Sequence, residues 1–171
     1  MEQKNNILLN LAIHRYDEIN ERNNSVDNKN KSMIAFIGVM LTIEVTALPL
    51  AFNLLAKSTV IYGVRMLMFL AIISISNYLV SILSFISAIT FVKTFQEAPV
   101  ANELILSLYN DDMVDLIIKK NLISISKCIM DNHEIIEEKT EKAKLGFEFF
   151  KHGLITMVSF LILFILILWR W

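Results

Sequence analysis

The sequence predicts an all-α membrane protein of a single domain. It has three transmembrane helices, an amphipathic N-terminal helix, and a long cytoplasmic helical segment leading into the last span. Three observations carry this. Of the 171 residues, 55% are apolar and 19% charged, against roughly 45–50% and about 25% in an ordinary soluble domain. The apolar residues gather in three windows long enough to cross a bilayer. Only two prolines and four glycines are present, which leaves few places for turns or strand corners. Sixteen Lys and Arg against 17 Asp and Glu give a net charge of −1. That lacks the basic excess of a nucleic-acid-binding domain, so no direct sequence-specific nucleic-acid binding is expected. The lone cysteine, Cys128, cannot close a disulfide within its own chain.

Residues 1–31 are the first cytoplasmic segment. Leu8, Leu11, Ala12, Tyr16 and Ile19 recur at helical spacing, while Arg15, Asp17, Glu18, Glu21 and Arg22 fall mostly elsewhere, the pattern of an amphipathic helix. Five basic residues balance five acidic ones. A helix made for anionic lipid would be rich in Lys and Arg, so packing on other helices is favoured over lying on the membrane. The segment lacks the apolar core and small-residue cleavage site of a secretory signal, and the first span is expected to act as its own insertion signal.

That first span is 32–56, interrupted by Glu44, Pro49 and Asn53; its length as a helix is about 37 Å, enough for a hydrocarbon core of about 30 Å. The second, 60–92, carries one charge, Arg65. At about 50 Å it must tilt or protrude, and its Lys93 end is expected to emerge from the lipid. The third, 153–169, is short, with Trp169 and Trp171 as interfacial anchors. Lysines and arginines number five in 1–31 and eight in 93–152, and the other three are Lys57, Arg65 and Arg170. Three spans place both basic segments on one side, which predicts the N-terminus in the cytoplasm and the C-terminus outside.

The cytoplasmic segment 93–152 begins its helix at Asn110-Asp111-Asp112, an N-cap with acids at the positive end of the helix dipole. From there to Trp169 there is no proline, and the only glycines are Gly146 and Gly153. One helix is therefore expected to run from Asp111 through the third span, about 88 Å if unbroken, with Asn132 or Gly146 as the points where it would break. Ile118, Leu122, Ile125, Ile129, His133, Ile136, Thr140, Ala143, Phe147 and Phe150 follow the three- and four-residue steps of a coiled-coil seam. Leu122, Ile125, Ile129, His133 and Ile136 are its candidate oligomer contacts. The alternative is that the seam packs on the N-terminal helix and on 99–109 of the same chain.

Chemistry is sparse. His14, His133 and His152 are far apart and no paired cysteines or HExxH spacing occur, so no metal is expected. Nor is there a P-loop, GxGxxG or GxSxG run, so nucleotide hydrolysis and cofactor binding are not expected either. The helical ribonuclease pattern of an arginine followed four to six residues later by a histidine is missing at all four arginines. Its nearest approach, Lys127 and His133, offers an amine that cannot make the bidentate phosphate contact of a guanidinium. The chain is expected to be no enzyme, with no catalytic residues and His133 as an interface residue.

Two polar features lie within the spans. Ser74, Asn77, Ser81 and Ser84 fall within an arc of about 80° on one face of the second span. Such residues either let helices pack closely or, in an oligomer, line water; a three-span monomer has too few helices to enclose a channel. Glu44 lies near mid-membrane and Arg65 nearer the outer end. An intramembrane charge needs a partner or water, so Glu44 either pairs with Arg65 or contributes to a ring of acids around a pore.

The run Val26-Asp27-Asn28-Lys29-Asn30-Lys31-Ser32-Met33-Ile34, leading into the first span, resembles the Asp-x-Lys-Ala approach of small prokaryotic antiphage transmembrane effectors, notably those of pyrimidine-cyclase systems. Asn30 stands where that family has Ala. A hairpin, an acidic helix, the Lys-rich stretch 139–144 and a final span continue the likeness. In size and three-span design the chain is even more similar to the membrane accessory protein of type VI-B CRISPR systems, whose divergent nuclease motif could be represented here only by Lys127 and His133. These resemblances imply an effector that oligomerises in the bacterial inner membrane into a pore, depolarises the cell and enhances RNA-guided immunity. Its partners would be copies of itself and the bilayer, with a functional link to an RNA-guided RNase. One alternative is activation by a cyclic nucleotide, although 93–152, with eight basic and eleven acidic residues, offers no evident phosphate cluster. A structural or regulatory subunit of a larger membrane complex is the other.

Overall fold

The computed structural model describes residues 2–55, 61–90, 96 and 114–169. Apart from Gln96 they form three α-helices: α1 (Glu2–Leu55), α2 (Ile61–Thr90) and α3 (Val114–Trp169). No strand occurs among the described residues. All three helices are long and apolar enough to cross a membrane, so the protein is all-α with three candidate spans. Lys57, Lys93, the segment 99–109, the cap at 110–112, Arg170 and Trp171 lie outside the described residues.

α1 joins the amphipathic segment and the first span into one helix. The polar run between them, Asn23 to Asn30, contains no glycine or proline to break it. Pro49 sits inside α1, which continues beyond it to Leu55. Just before it, Thr42 donates to Gly38 O and Thr46 to Thr42 O and Ile43 O, hydroxyls that keep to the helix's own carbonyls in a proline-containing span. α3 likewise runs unbroken past Asn132 and Gly146.

A seven-residue period organises α1. Leu9, Asn23, Asn30, Ile37, Glu44 and Ala51 are buried and Tyr16 is half-buried, the spacing of knobs-into-holes packing. On α2, Leu67, Ala71, Ser74, Tyr78, Ser81, Phe85 and Ala88 are buried at alternating four- and three-residue steps. Two compact units result, Met1–Asp27 with Val92–Lys139, and Asn28–Phe91 with Thr140–Trp171.

In the first unit, Leu9 and Ala12 of α1 pack with Ile118 and Ile125 of α3, flanked by Tyr16, Leu122 and Ile129. The two segments run parallel, since further along Lys139 of α3 meets Asn23 and Asp27 of α1. The Lys139 ammonium donates to Asn23 Oδ1 at 2.7 Å and to both Asp27 carboxylate oxygens at 2.9 Å. Asn132 is fully buried and pairs with the backbone of one residue: its Nδ2 donates to Gln96 O at 2.9 Å and its Oδ1 accepts from Gln96 N at 2.8 Å.

The buried stripe of α3 in this unit is rotated from the expected seam. Ile118, Asn121, Ile125, Cys128, Asn132, Ile135, Ile136 and Lys139 are buried, while Leu122 and Ile129 are only half-buried and His133 is exposed. Asn132 and Lys139 are satisfied by their own chain, so polar side chains take central positions that a purely apolar pattern assigns to their neighbours.

In the second unit α2 runs antiparallel to both other helices. Ile37, Tyr78, Phe85, Phe150 and Met157 form one buried cluster, and Ala51, Leu67, Ala71 and Phe160 another. The Phe150 ring lies edge-on to Phe36 at 5.9 Å and tilted against Tyr78 at 6.1 Å. The outer face carries exposed Met66, Phe69, Ile72 and Leu83 on α2 and Ile155, Ile162 and Ile165 on α3. In water such a surface would be a liability; in hydrocarbon it is matched by its surroundings.

Candidate functional site

The second unit holds polar groups at its centre, side chains of α1 and α2 and backbone carbonyls of α3. Ser74 on α2 donates towards Glu44 Oε2 on α1 at 3.0 Å and towards Gly153 O on α3 at 3.1 Å. One turn on, the Tyr78 hydroxyl reaches Met157 Sδ at 3.4 Å and lies beside Ser74 and Glu44. Two turns from Ser74, Ser81 donates to Gly146 O at 2.6 Å. Ser74, Ser81 and Tyr78 are fully buried, and Glu44 is 1% exposed.

Two glycines make this approach possible. A Cβ at Gly153 would lie 2.8 Å from the Tyr78 ring, and one at Gly146 would lie 3.1 Å from Phe85 and 3.2 Å from Ser81 O. Ser74 faces Gly153 and Ser81 faces Gly146, two serines seven residues apart meeting two glycines seven residues apart in antiparallel register. Small residues with hydroxyls bonded across the interface are the usual means by which helices associate in lipid.

The expected stripe therefore divides. Ser74 and Ser81 turn inward, whereas Asn77 donates to Ile73 O and Ser84 to Val80 O of their own helix. Glu44 meets Ser74 rather than Arg65. Arg65 is exposed and stands nine residues, about 14 Å, along α2 from the level of Glu44, out of reach of an ion pair. Register, which the charges alone do not reveal, decides the matter. Glu44 also keeps an open valence: its Oε1 is buried without a hydrogen-bond partner, as is Asn30 Nδ2.

The remaining sequence candidates lie in the first unit. Lys127 and His133 are both exposed; six positions apart they point about 120° from one another on α3 and do not converge. His133 Nδ1 is 3.4 Å from Glu137 Oε1, a contact within the helix. Ile125 packs in the cluster with Leu9 and Ala12, with Leu122 and Ile129 against it, and Ile136 is buried. Among the described residues no group of three His, Cys, Asp or Glu side chains could hold a metal ion.

Gly146, Gly153 and Tyr78 were not among the sequence candidates, nor was Lys139 with Asn23 and Asp27. The one signal available was the seven-residue spacing of Gly146 and Gly153 in a chain with four glycines. No protein-family model matches the chain, and no curated protein or solved structure matches it.

Proposed function

We propose that the protein is a non-enzymatic membrane effector of prokaryotic antiviral defence. Assembled with copies of itself in the inner membrane, its N-terminus cytoplasmic and its C-terminus outside, it opens a pore that depolarises the cell. In doing so it enhances immunity delivered by a type VI-B RNA-guided RNase. The observation that carries the proposal is Glu44, a carboxylate buried within a candidate span with an oxygen left open. An ionisable group in a membrane span is costly to keep and marks an ion path or relay more often than ordinary packing. The serines differ, since both are engaged in helix contacts. The antiviral role and the RNase link rest on the resemblance through 26–34 and the three-span design.

The test is ion flux from vesicles and membrane potential in cells for wild type and Glu44→Gln. The amide keeps the shape and removes the field, so oligomer mass should persist while flux or cation preference changes. Unaltered flux in a stably assembled Glu44→Gln protein rejects the role of this carboxylate in conduction, and monomers alone across detergents reject the pore.

A second reading, activation by a cyclic nucleotide, is favoured by one feature of the first unit. Arg15, Arg22 and His133 share an open groove of about 630 Å³ with Leu8, Leu11 and Ile129; Arg15 is engaged by Glu18 of the same groove at 3.5 Å, which leaves Arg22 as the guanidinium for a phosphate beside apolar walls for a base. Calorimetric binding of a cyclic pyrimidine nucleotide, lost in Arg22→Ala, would support it; no heat at millimolar nucleotide rejects it.

A further inference from the structure

We infer that Glu44, Ser74 and Tyr78 form an intramembrane binding site for one alkali cation, for which sodium is the probe. The inference deepens the conduction proposal and rests on it for its use in the cell, though the site itself is argued from hydrogen-bond and charge balance.

The cluster has more acceptors than donors. Ser74 has a single hydroxyl proton, yet it faces two acceptors, Glu44 Oε2 at 3.0 Å and Gly153 O at 3.1 Å. Gly153 O also lies 2.8 Å from Thr156 Oγ1, whose one proton is shared with His152 O at 2.9 Å, and the Ser74 proton is best used on the carboxylate, where a charge-assisted bond is stronger. That still leaves Glu44 Oε1 with nothing, at a residue 1% exposed. Beside it, the Tyr78 hydroxyl meets the Met157 thioether at 3.4 Å, a weak acceptor, and the Ser74 side chain; with one proton to give, its oxygen keeps a lone pair to ligate.

Charge points the same way. Among the described residues no cationic side chain pairs with Glu44, and Arg65 is exposed on a different level of α2. An uncompensated carboxylate in a dry interior is untenable, so Glu44 is neutralised by a proton or by a bound cation, and the partnerless Oε1 is the atom that either would occupy. One carboxylate with neutral hydroxyl oxygens balances a single positive charge; a divalent ion would leave one charge over in hydrocarbon. Hard oxygen donors without nitrogen or thiolate suit an alkali cation rather than a transition metal.

The experiment uses the full chain in detergent. A hydrophobic carbodiimide, which converts an accessible carboxyl group to a stable adduct, is followed at Glu44 by mass spectrometry while sodium replaces choline at constant ionic strength. Sodium should slow labelling about a hundredfold at a hundred times its dissociation constant. Ser74→Ala and Tyr78→Phe should each need at least about ten times more sodium for the same protection, consistent with loss of one bonding interaction. Labelling equally fast at every sodium concentration overturns the site and assigns the charge balance to a proton. Should the reagent fail to reach Glu44, melting decides: a sodium-specific rise in unfolding temperature must occur in wild type and vanish in Glu44→Gln, and its absence in wild type overturns the inference. Sodium binding without depolarisation keeps the site and removes the pore function, whereas depolarisation by a sodium-blind protein does the reverse.

Discussion

Lys139→Met should loosen the first unit without touching the spans. The ammonium uses all three of its protons, on Asn23 Oδ1 at 2.7 Å and on the two Asp27 oxygens at 2.9 Å. Methionine retains the apolar stem and strands both partners. Breaking a fully buried pair by removing one member costs about 3–5 kcal/mol. The Lys139 side chain is 7% exposed but that of Asp27 is 21% exposed, so water recovers part of the loss and about 2–4 kcal/mol remains. Hydrogen exchange read by mass spectrometry is the suitable assay because it reports opening locally. Amides of α1 near Asn23 and of α3 near Asn132 should exchange roughly 30- to 1,000-fold faster, while those flanking Ser74 stay near wild type. Asp27→Leu added to Lys139→Met should recover part of the protection, since an apolar pair replaces the stranded carboxylate. Exchange within about threefold of wild type in Lys139→Met, equivalent to under 1 kcal/mol, would refute the view that this lysine holds the two segments together.

Gly153→Ala should destabilise by about 1–3 kcal/mol through overpacking, because its Cβ would lie 2.8 Å from the Tyr78 ring. Gly38→Ala, with nothing within 4 Å, should be neutral or stabilising by up to about 1 kcal/mol; thermal melts that rank the two the other way contradict the packing. Arg65→Gln should leave yield and melting within about 0.5 kcal/mol of wild type, and a loss rescued by Glu44→Gln would reinstate the ion pair. Purified protein should cleave no RNA, and specific cleavage abolished by His133→Ala would overturn that expectation.

Helices and spans were legible because their determinants are local. Few glycines and prolines leave long uninterrupted helices, and a run of apolar residues marks a span wherever it packs. The seam of α1 was not legible: Asn23, Asn30 and Glu44 occupy its heptad positions, and a search for apolar periodicity reads them as interruptions. On α3 the same blindness shifted the stripe by a position, choosing Leu122, Ile129 and His133 over Asn121, Cys128 and Asn132. The serine stripe divides between two environments. An arc of about 80° covers both the central and the flanking positions of a heptad, so Ser74 and Ser81 could not be told from Asn77 and Ser84. Of the two roles open to Glu44, pairing with Arg65 is absent for a different reason: residue charge does not specify the register that sets Glu44 at the height of Ser74.

The burial of Glu44 also bears on how the chain is made. During synthesis α1 reaches the bilayer before α2 has emerged from the ribosome, and at that moment Glu44 has neither the Ser74 hydroxyl nor any shelter from lipid. A carboxylate near the centre of a lone helix costs about 2.5–3.5 kcal/mol on insertion scales, enough to slow partitioning of the first segment until Ser74, thirty residues further on, has emerged as well. α1 and α2 should therefore partition into the membrane as a hairpin. Completion of the buried cluster waits longer, for Gly153 to bring α3 against the Tyr78 ring. A polar contact at the heart of the folded unit thus bears on when its helices can enter lipid.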